Sequence, residues 1–156
     1  MPLFEKVLYS TDFSPLAEYA FHYVKRLKSA GMREVVIVHV VNELSVELPE
    51  GLDVMQEREA MDVLSRADRE YLLNVIERAE ALEKELKNKG ISVKLKIVAA
   101  SNTAGQIVKV AEEENVNVIV IGAHGKGLLT QLILGSVSHD VVRKAKCPVL
   151  LVKKRD

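Results

Sequence analysis

The feature that most constrains this chain is a short apolar run followed by a glycine-rich segment, residues 118–136, VIVIGAHGKGLLTQLILGS. Its first four residues, Val, Ile, Val and Ile, predict a strand that is buried on both faces. Glycine has no Cβ and tolerates positive φ, so the glycines that follow predict a loop whose backbone N–H groups can turn toward an anion. The segment is therefore a candidate phosphate-binding loop. Its glycines are Gly122, Gly125, Gly127 and Gly135.

The spacing of three of these glycines is Gly-x2-Gly-x9-Gly-Ser, which ends at Ser136. Apolar residues at helical spacing follow, so the Gly-Ser pair stands where a helix should begin. The first N–H groups of a helix have no internal partner and its dipole is positive there, which favours a phosphate. The alternative is that the glycines only make a tight connection and Ser136 is an ordinary N-cap. The residues predicted on the inner face of that helix are Val137, Val141 and Val142.

Two common nucleotide-binding motifs are absent from this segment. A Walker loop needs Ser or Thr after its lysine, but Lys126 is followed by Gly127. The dinucleotide fingerprint needs a third glycine at position 130, where Thr130 stands. Neither standard motif is present.

Composition narrows the classes of function. The 156 residues fit one domain, and Lys plus Arg equal Asp plus Glu at 22 each, so the formal net charge is zero. Without a basic excess, and with aromatic residues at only 4%, the chain is not expected to bind nucleic acid. The single cysteine, Cys147, excludes an internal disulfide and is interpreted as a small apolar filler.

The beginning of the chain, MPLFEKVLYS, has Glu5 and Lys6 among its apolar residues, which is not the pattern of a signal peptide. No apolar run approaches the length that spans a bilayer. A cytoplasmic location with no membrane contact is therefore expected.

Apolar periodicity predicts alternating strands and helices along the chain. The run EVVIVHVV predicts a buried strand, in which His39 is interpreted as a core histidine. Residues 42–62 hold seven Asp or Glu against one Arg; this acidic segment predicts a loop with solvated charges or, alternatively, a partner surface. The acidic residues 112–114 are also expected to be solvated. Strands are predicted at residues 6–10, 34–41, 92–98, 118–121 and 148–152, and helices at residues 15–30, 61–89, 103–115 and 136–145.

This alternation predicts an α/β fold with an open five-stranded parallel sheet, strand order 3-2-1-4-5, and helices on both faces. The winding then reverses between strands 1 and 4, and ligands of such sheets bind beyond the carboxyl ends of the strands at that reversal. Asp12 follows strand 1 and Gly122 follows strand 4, so both are expected at this point. For Asp12 alone, a role as a turn or cap carboxylate is the alternative.

Four segments, YSTDFS, HVVNE, GAHGKG with the glycine spacing above, and CPVLLV, together resemble the universal stress protein family. The resemblance covers essentially the whole chain, and the glycine spacing is that of the ATP-binding branch of the family. It implies an adenine nucleotide alpha hydrolase-like fold that binds ATP, or ADP or AMP, with Mg²⁺ or Mn²⁺ carried on the phosphates. It also implies a homodimer formed by antiparallel pairing of the last strand, residues 148–152, which opens with Pro148 and ends with Val152.

The resemblance also implies which residues bind the nucleotide. Asp12 and the backbone of Val40 would contact the adenosine, and Gly122 the ribose region. Ser10 stands where relatives often have proline or a small residue, which affects the expected shape of the adenine pocket and not the phosphate loop. The phosphates would be held by Gly125, Gly135, Ser136 and Val137.

Two further residues lie inside the loop where the phosphates would pass. Lys126 could add a positive charge beside a phosphate, with a solvated lysine as the alternative. His124 could be taken for a general base, but the sequence fixes no acidic partner to orient it, so no catalytic residue is predicted. Both are kept as candidate nucleotide-binding residues.

The features of the sequence predict a nucleotide-binding regulatory protein, and the resemblance implies that it binds ATP in the stress response, with the nucleotide acting as a switch read by an unidentified protein partner. Hydrolysis of ATP would be slow and metal-assisted at most. One alternative is an enzyme that transfers an adenylyl or phosphoryl group on a related α/β fold. Another is a structural dimer that binds no nucleotide.

Overall fold

The structure, a computed structural model, describes residues 2–42, 44, 48–124 and 134–154. In these ranges the strands are β1 (Lys6–Ser10), β2 (Glu34–Val41), β3 (Ser92–Ala99), β4 (Val118–Gly122) and β5 (Val149–Val152). The α-helices are α1 (Pro15–Arg26), α2 (Arg66–Lys87), α3 (Thr103–Glu113) and α4 (Ser136–Lys144), and short 3-10 helices cover Leu27–Ala30 and Arg58–Val63. None of the helices in this part of the chain is long and apolar enough to cross a membrane.

The five strands form one parallel sheet in the order β3-β2-β1-β4-β5, which confirms the predicted order. Tyr9 of β1 lies opposite Ile37 of β2 on one side and opposite Val120 of β4 on the other. The winding therefore reverses between β1 and β4, and the carboxyl ends of these two strands lie side by side.

Helices cover both faces of the sheet, as predicted. On one face, α1 and α2 pack against the strands through a core that includes Tyr9, Phe21 and Leu72. On the other face, α3 and α4 pack through a core that includes Ile107 and Val141. Every residue of β4 is buried, because this strand is covered on both faces, and its unbroken apolar sequence fits that position.

Local capping decides where α2 begins. The helix starts at Arg66, five residues after the predicted start at position 61. The side chain of Ser65 caps it by accepting a hydrogen bond from the amide of Asp68 at 3.1 Å. The preceding 3-10 helix buries Met61, so the apolar pattern begins before the α-helix does, and periodicity alone placed the start too early.

The helix α4 begins at the Gly-Ser pair, as predicted, with Gly135 as its N-cap and Ser136 as its first residue. Val141 is fully buried, and Val137 is partly buried against the same core. The prediction that Val142 also faces inward is wrong, because this residue is 47% exposed. One residue turns a helix by about 100°, so the position after Val141 points away from the sheet.

Part of the acidic segment docks on the outer strand β3. Asp53 forms an antiparallel bridge with Val98, and the amide of Val54 donates to the carbonyl of Ile97 at 2.9 Å. The prediction of solvated charges is wrong for Asp53, because its Oδ1 atom accepts a hydrogen bond from the amide of Ile97 at 3.2 Å. An outer strand exposes unpaired N–H and C=O groups, and this contact supplies partners for some of them.

Glu114, at the end of α3, was also expected to be solvated, and this prediction is wrong. Its side chain is only 11% exposed, and its oxygens lie 2.8 Å from the ammonium of Lys94, 3.4 Å from Lys6 and 3.8 Å from Lys96. Burial by itself raises the pKa of this carboxyl, but the hydrogen bond from Lys94 and the charges of Lys94 and Lys6 outweigh it and hold the pKa below its usual range. The ion pairs join α3 to β1 and β3.

Replacing Glu114 with Gln is expected to lower the free energy of unfolding at about pH 7 by about 1–2 kcal/mol, because three lysines lose their shared carboxylate. A carboxyl whose folded pKa is lowered contributes stability above its unfolded pKa of about 4.3, and this contribution is lost as the pH falls through the folded pKa. The difference between wild type and variant should therefore shrink at about pH 3. Urea unfolding at both pH values measures it.

The matched control is Glu113→Gln. Glu113 is the preceding residue, with a side chain that is 51% exposed and a single long ion pair to Lys109 at 3.9 Å. Exposed pairs of this kind contribute little, so the control should unfold like wild type. Equal losses in both variants would show that the lysines around Glu114 contribute nothing particular to stability.

Candidate functional site

A cavity of about 560 Å³ opens at the carboxyl edge of the sheet, where β1 and β4 end. This volume lies within the range typical of small-molecule sites. Eight of the ten predicted site residues line it: Ser10, Asp12, Val40, Gly122 and His124 at the strand ends, and Gly135, Ser136 and Val137 at the start of α4. The other two, Gly125 and Lys126, lie outside the described residues.

The turn between β1 and α1, residues 11–14, carries Asp12; we call it the Asp12 turn. The amide of Phe13 donates to Oγ1 of Thr11 at 2.9 Å, and the amide of Ser14 donates to Oδ1 of Asp12 at 2.9 Å. Asp12 therefore acts as a turn carboxylate, which was one of the two interpretations of this residue. It also lines the cavity, which the other interpretation, a ligand contact, requires. The two roles are compatible, because a carboxylate can accept several hydrogen bonds.

His39 of β2 is buried, with 6% of its surface exposed, as expected for a core histidine. Its Nδ1 atom lies 2.8 Å from the carbonyl oxygen of Thr11. A carbonyl oxygen can only accept, so Nδ1 carries the proton in this contact. The ring also lines the cavity, so His39 connects the end of β2 to the Asp12 turn at the cavity wall.

Two hydrogen bonds connect the end of β4 to the start of α4. The hydroxyl of Ser138 donates to the carbonyl of Gly122 at 2.7 Å, and the amide of Gly135 donates to the carbonyl of Ala123 at 2.9 Å. A Cβ atom on Gly122 would lie 3.2 Å from Cγ of Leu16, which is tighter than an ordinary contact. The glycine therefore lets α1 approach the end of β4 closely.

The start of α4 lines the cavity through Gly135, Ser136 and Val137. Among the described residues, the amides of Ser136 and Val137 have no hydrogen-bond acceptor, whereas the amide of Gly135 is already bonded to Ala123. The helix dipole adds partial positive charge at the same place. Backbone N–H groups at the start of a helix are the kind of donor that binds anions in many folds, and the bond from Gly135 to Ala123 fixes the position of that backbone.

Sequence reasoning missed several residues of the cavity wall. The amide group of Asn42, after β2, donates to the hydroxyl of Thr103, at the start of α3, at 3.0 Å. Tyr71 reaches the cavity from α2, where its place in the apolar repeat favoured a core role. For Ser138 the sequence does hold a signal, because it lies three residues before Val141 and helical spacing puts both residues on one face. The contact between Asn42 and Thr103 joins distant parts of the chain, and no local pattern encodes it.

The wall of the cavity combines different chemical groups. Ile107 and Ile121 contribute apolar surface, Asp12 contributes a carboxylate, and the start of α4 contributes N–H donors. Within residues 2–42, 44, 48–124 and 134–154, no group of three or more His, Cys, Asp or Glu side chains could hold a metal ion. Such a wall suits a ligand with an apolar part, hydrogen-bonding groups and an anionic part.

The fold and the cavity define an α/β domain with a candidate small-molecule site at the reversal of winding. A sequence profile of the Universal stress protein family matches residues 3–153. The chain therefore belongs to the universal stress protein family.

Relatives of this chain match it along nearly its whole length. Universal stress protein MJ0577 of Methanocaldococcus jannaschii is 33% identical over 99% of this chain and 98% of its own. Universal stress protein YxiE of Bacillus subtilis is 30% identical over 97% of this chain and 100% of its own. The solved structure of MJ0577 superposes with a TM-score of 0.79 at 34% identity and covers 99% of both chains.

A more distant solved structure shares the fold. The universal stress protein of Archaeoglobus fulgidus, in complex with dAMP, superposes with a TM-score of 0.62 at 22% identity and covers 98% of this chain and 100% of its own.

Replacing Ser138 with Ala is expected to lower the free energy of unfolding of nucleotide-free protein by about 1–2 kcal/mol, because the buried carbonyl of Gly122 loses its donor. The melting temperature should fall by several degrees. The control is Ser136→Ala, which removes a hydroxyl from the same helix at an exposed position and should leave the melting temperature nearly unchanged. Equal melting temperatures for the two variants would contradict the role given to the Ser138 hydrogen bond.

Proposed function

We propose that this chain binds ATP in the cavity at the carboxyl ends of β1 and β4 and acts as a regulatory protein of the stress response. The proposal rests on the observation that the predicted residues come together at one place. Predicted residues from four separate parts of the sequence, namely the ends of β1, β2 and β4 and the start of α4, line one cavity. That cavity lies where ligands of doubly wound sheets bind.

In this proposal the adenosine lies against Asp12 and the backbone of Val40, and the ribose lies near Gly122. A carboxylate accepts hydrogen bonds from ribose hydroxyls or from the amino group of adenine. The phosphates, with Mg²⁺ or Mn²⁺ bound to them, lie at the amides of Ser136 and Val137. The other candidate residues, Ser10, His124, Gly125, Lys126 and Gly135, stay assigned to the nucleotide site.

Two observations support an adenine nucleotide as the ligand. The backbone amides at the start of α4 offer the neutral, dipole-assisted donors that bind phosphate groups in many folds. The Archaeoglobus fulgidus protein that shares the fold was solved with dAMP, an adenine nucleotide.

The switch in this proposal is the start of α4. Gly135 and Ser138 attach it to the end of β4, and a nucleotide would contact both this helix and the Asp12 turn. A ligand shifts a conformational equilibrium only by the difference in its affinity for the two states. The nucleotide would thus stabilise one position of α4, and the outer face of this helix, where Val142 is exposed, would present the change to a partner protein.

The direct test measures nucleotide in the purified protein. We expect heat denaturation to release an adenine nucleotide, and added ATP with Mg²⁺ to raise the melting temperature of the stripped protein. Ligand at 100 times its Kd stabilises by about 2.7 kcal/mol, which corresponds to several degrees for a domain of this size.

Replacing Asp12 with Asn should weaken ATP binding by about tenfold, because an amide replaces the carboxylate that accepts hydrogen bonds from the adenosine. The amide oxygen of Asn can still accept the hydrogen bond from Ser14 that stabilises the turn.

The control for this variant is Asp140→Asn, which makes the same change of charge on α4 at a carboxylate that is not part of the cavity wall and pairs with Arg143 at 3.7 Å. Its affinity for ATP should equal that of wild type.

Absence of both released nucleotide and a thermal shift in the wild-type protein would contradict the proposal that this chain binds ATP. Fast multiple-turnover release of phosphate would instead support a phosphoryl-transfer enzyme.

We also propose that the protein forms a homodimer through β5, the outer strand next to β4. The carbonyls of Pro148 and Val152 accept from the amides of Ile119 and Ala123 at 3.0 and 2.8 Å. Main-chain groups alternate in direction along a strand, so Leu151, the residue before Val152, directs its N–H and C=O groups away from β4. Leu151 is also half-buried in the single chain, which leaves part of an apolar side chain for a second copy to cover.

Replacing Leu151 with Pro is expected to shift the protein from dimer to monomer in sedimentation velocity. Proline removes an N–H donor, and position 151 directs this donor toward the second copy and not toward β4. The control Leu151→Val keeps the donor and an apolar side chain and should remain dimeric. A wild-type protein that sediments as a monomer, or a proline variant that stays dimeric, would contradict pairing through β5.

A further inference from the structure

The Asp12 turn contains an unusual backbone conformation. Phe13 has a φ of 60°, in the left-handed region that residues with a Cβ atom rarely adopt. Such a conformation persists only where the surrounding structure holds it in place, and it is often found at functional sites. Phe13 directly follows Asp12, so its conformation sets how the chain leaves Asp12 and enters α1.

Two side chains from other elements hold Phe13. Phe13 is buried, with 7% of its surface exposed, and its ring lies 4.9 Å from the ring of His39, measured between centroids. The guanidinium of Arg78 lies 4.6 Å from the centroid of the Phe13 ring, a cation–π contact, and its Nη2 atom donates to the Phe13 carbonyl at 3.3 Å. Arg78 therefore contacts both the side chain and the main chain of the strained residue.

Arg78 belongs to α2 and is not part of the cavity wall. Its side chain is 44% exposed, and it forms an ion pair with Glu18 at 3.5 Å. Both groups of this pair are exposed, so the pair contributes little to the free energy of unfolding. What distinguishes Arg78 is the pair of contacts with Phe13. These contacts favour the left-handed state, because the carbonyl and the ring would move apart from Arg78 if Phe13 relaxed to negative φ.

We propose that Arg78 is a positioning residue for the nucleotide site: it holds Phe13 in the left-handed conformation that presents Asp12 to the cavity. The inference rests on the proposed function, since Asp12 is the group assigned to the adenosine. Loss of Arg78 would let the peptide between Asp12 and Phe13 rotate, and the hydrogen bond from the amide of Ser14 to Asp12 Oδ1, 2.9 Å long, would weaken. Asp12 would then be displaced relative to the rest of the wall.

The test uses Arg78→Met, which keeps a long apolar side chain over the Phe13 ring and removes the charge and the donor. Affinity for ATP with Mg²⁺ is measured by titration calorimetry in wild type, Arg78→Met, Asp12→Asn and the double variant. Hydrogen exchange of the Phe13 and Ser14 amides is measured in the nucleotide-free proteins. The matched control, Glu18→Gln, removes the ion-pair partner of Arg78 and leaves its contacts with Phe13 in place.

We expect Arg78→Met to weaken ATP binding by about fivefold and to speed exchange of the two turn amides, with a melting temperature within a few degrees of wild type. In the Asp12→Asn background the same substitution should change the affinity by less than about twofold, because coupled residues are non-additive. Glu18→Gln should behave like wild type in both measurements.

An equal loss of affinity in the two backgrounds, or unchanged exchange at Phe13 and Ser14, would overturn the proposal. Failure of the proposed function has a different signature: wild-type protein would bind no ATP. In that case the exchange of the turn amides still decides whether Arg78 holds the turn. Without a nucleotide site, however, Arg78 would have no positioning role in nucleotide binding.

Discussion

The parallel pairing of β1 with β4 is the constraint on which the rest of the molecule depends. Val7 lies opposite Val118 and Tyr9 opposite Val120, so two strands more than a hundred residues apart in the sequence are neighbours. The connections that leave them run in opposite directions, which opens a crevice at their carboxyl ends. If these strands were not adjacent, the Asp12 turn and the start of α4 would not face one cavity.

Polar groups have different surroundings at the amino ends and at the carboxyl ends of the strands. At the amino edge, the carboxylate of Glu114 is surrounded by lysines of β1 and β3, so charge is compensated within the protein. At the carboxyl edge, Asp12, Ser136 and Val137 line a cavity. A sheet covered by helices on both faces leaves its strand ends as the place where polar groups can meet a ligand, and here one end is closed by ion pairs and the other is open.

Much of the fold could be predicted because burial leaves a local pattern. The run EVVIVHVV predicted β2 at the bounds the structure has, since a strand covered on both faces needs apolar residues at every position. The start of α2 was placed too early because a 3-10 helix continued the apolar spacing up to the Ser65 cap. The role of Glu114 was misjudged because its lysine partners, such as Lys94 and Lys6, come from strands distant in the sequence.

The sequence by itself determined the alternation of strands and helices, the place of Asp12 after β1 and the glycine spacing that ends at the start of α4. Each of these features depends only on residues that are close together in the sequence. Only the tertiary structure decided that Tyr71 reaches the cavity, that Asn42 bonds to Thr103 and that Arg78 contacts Phe13. These contacts depend on how helices dock on the sheet. The apolar pattern of a helix encodes which face is buried, and it does not encode which distant residue a side chain at the border of that face will meet.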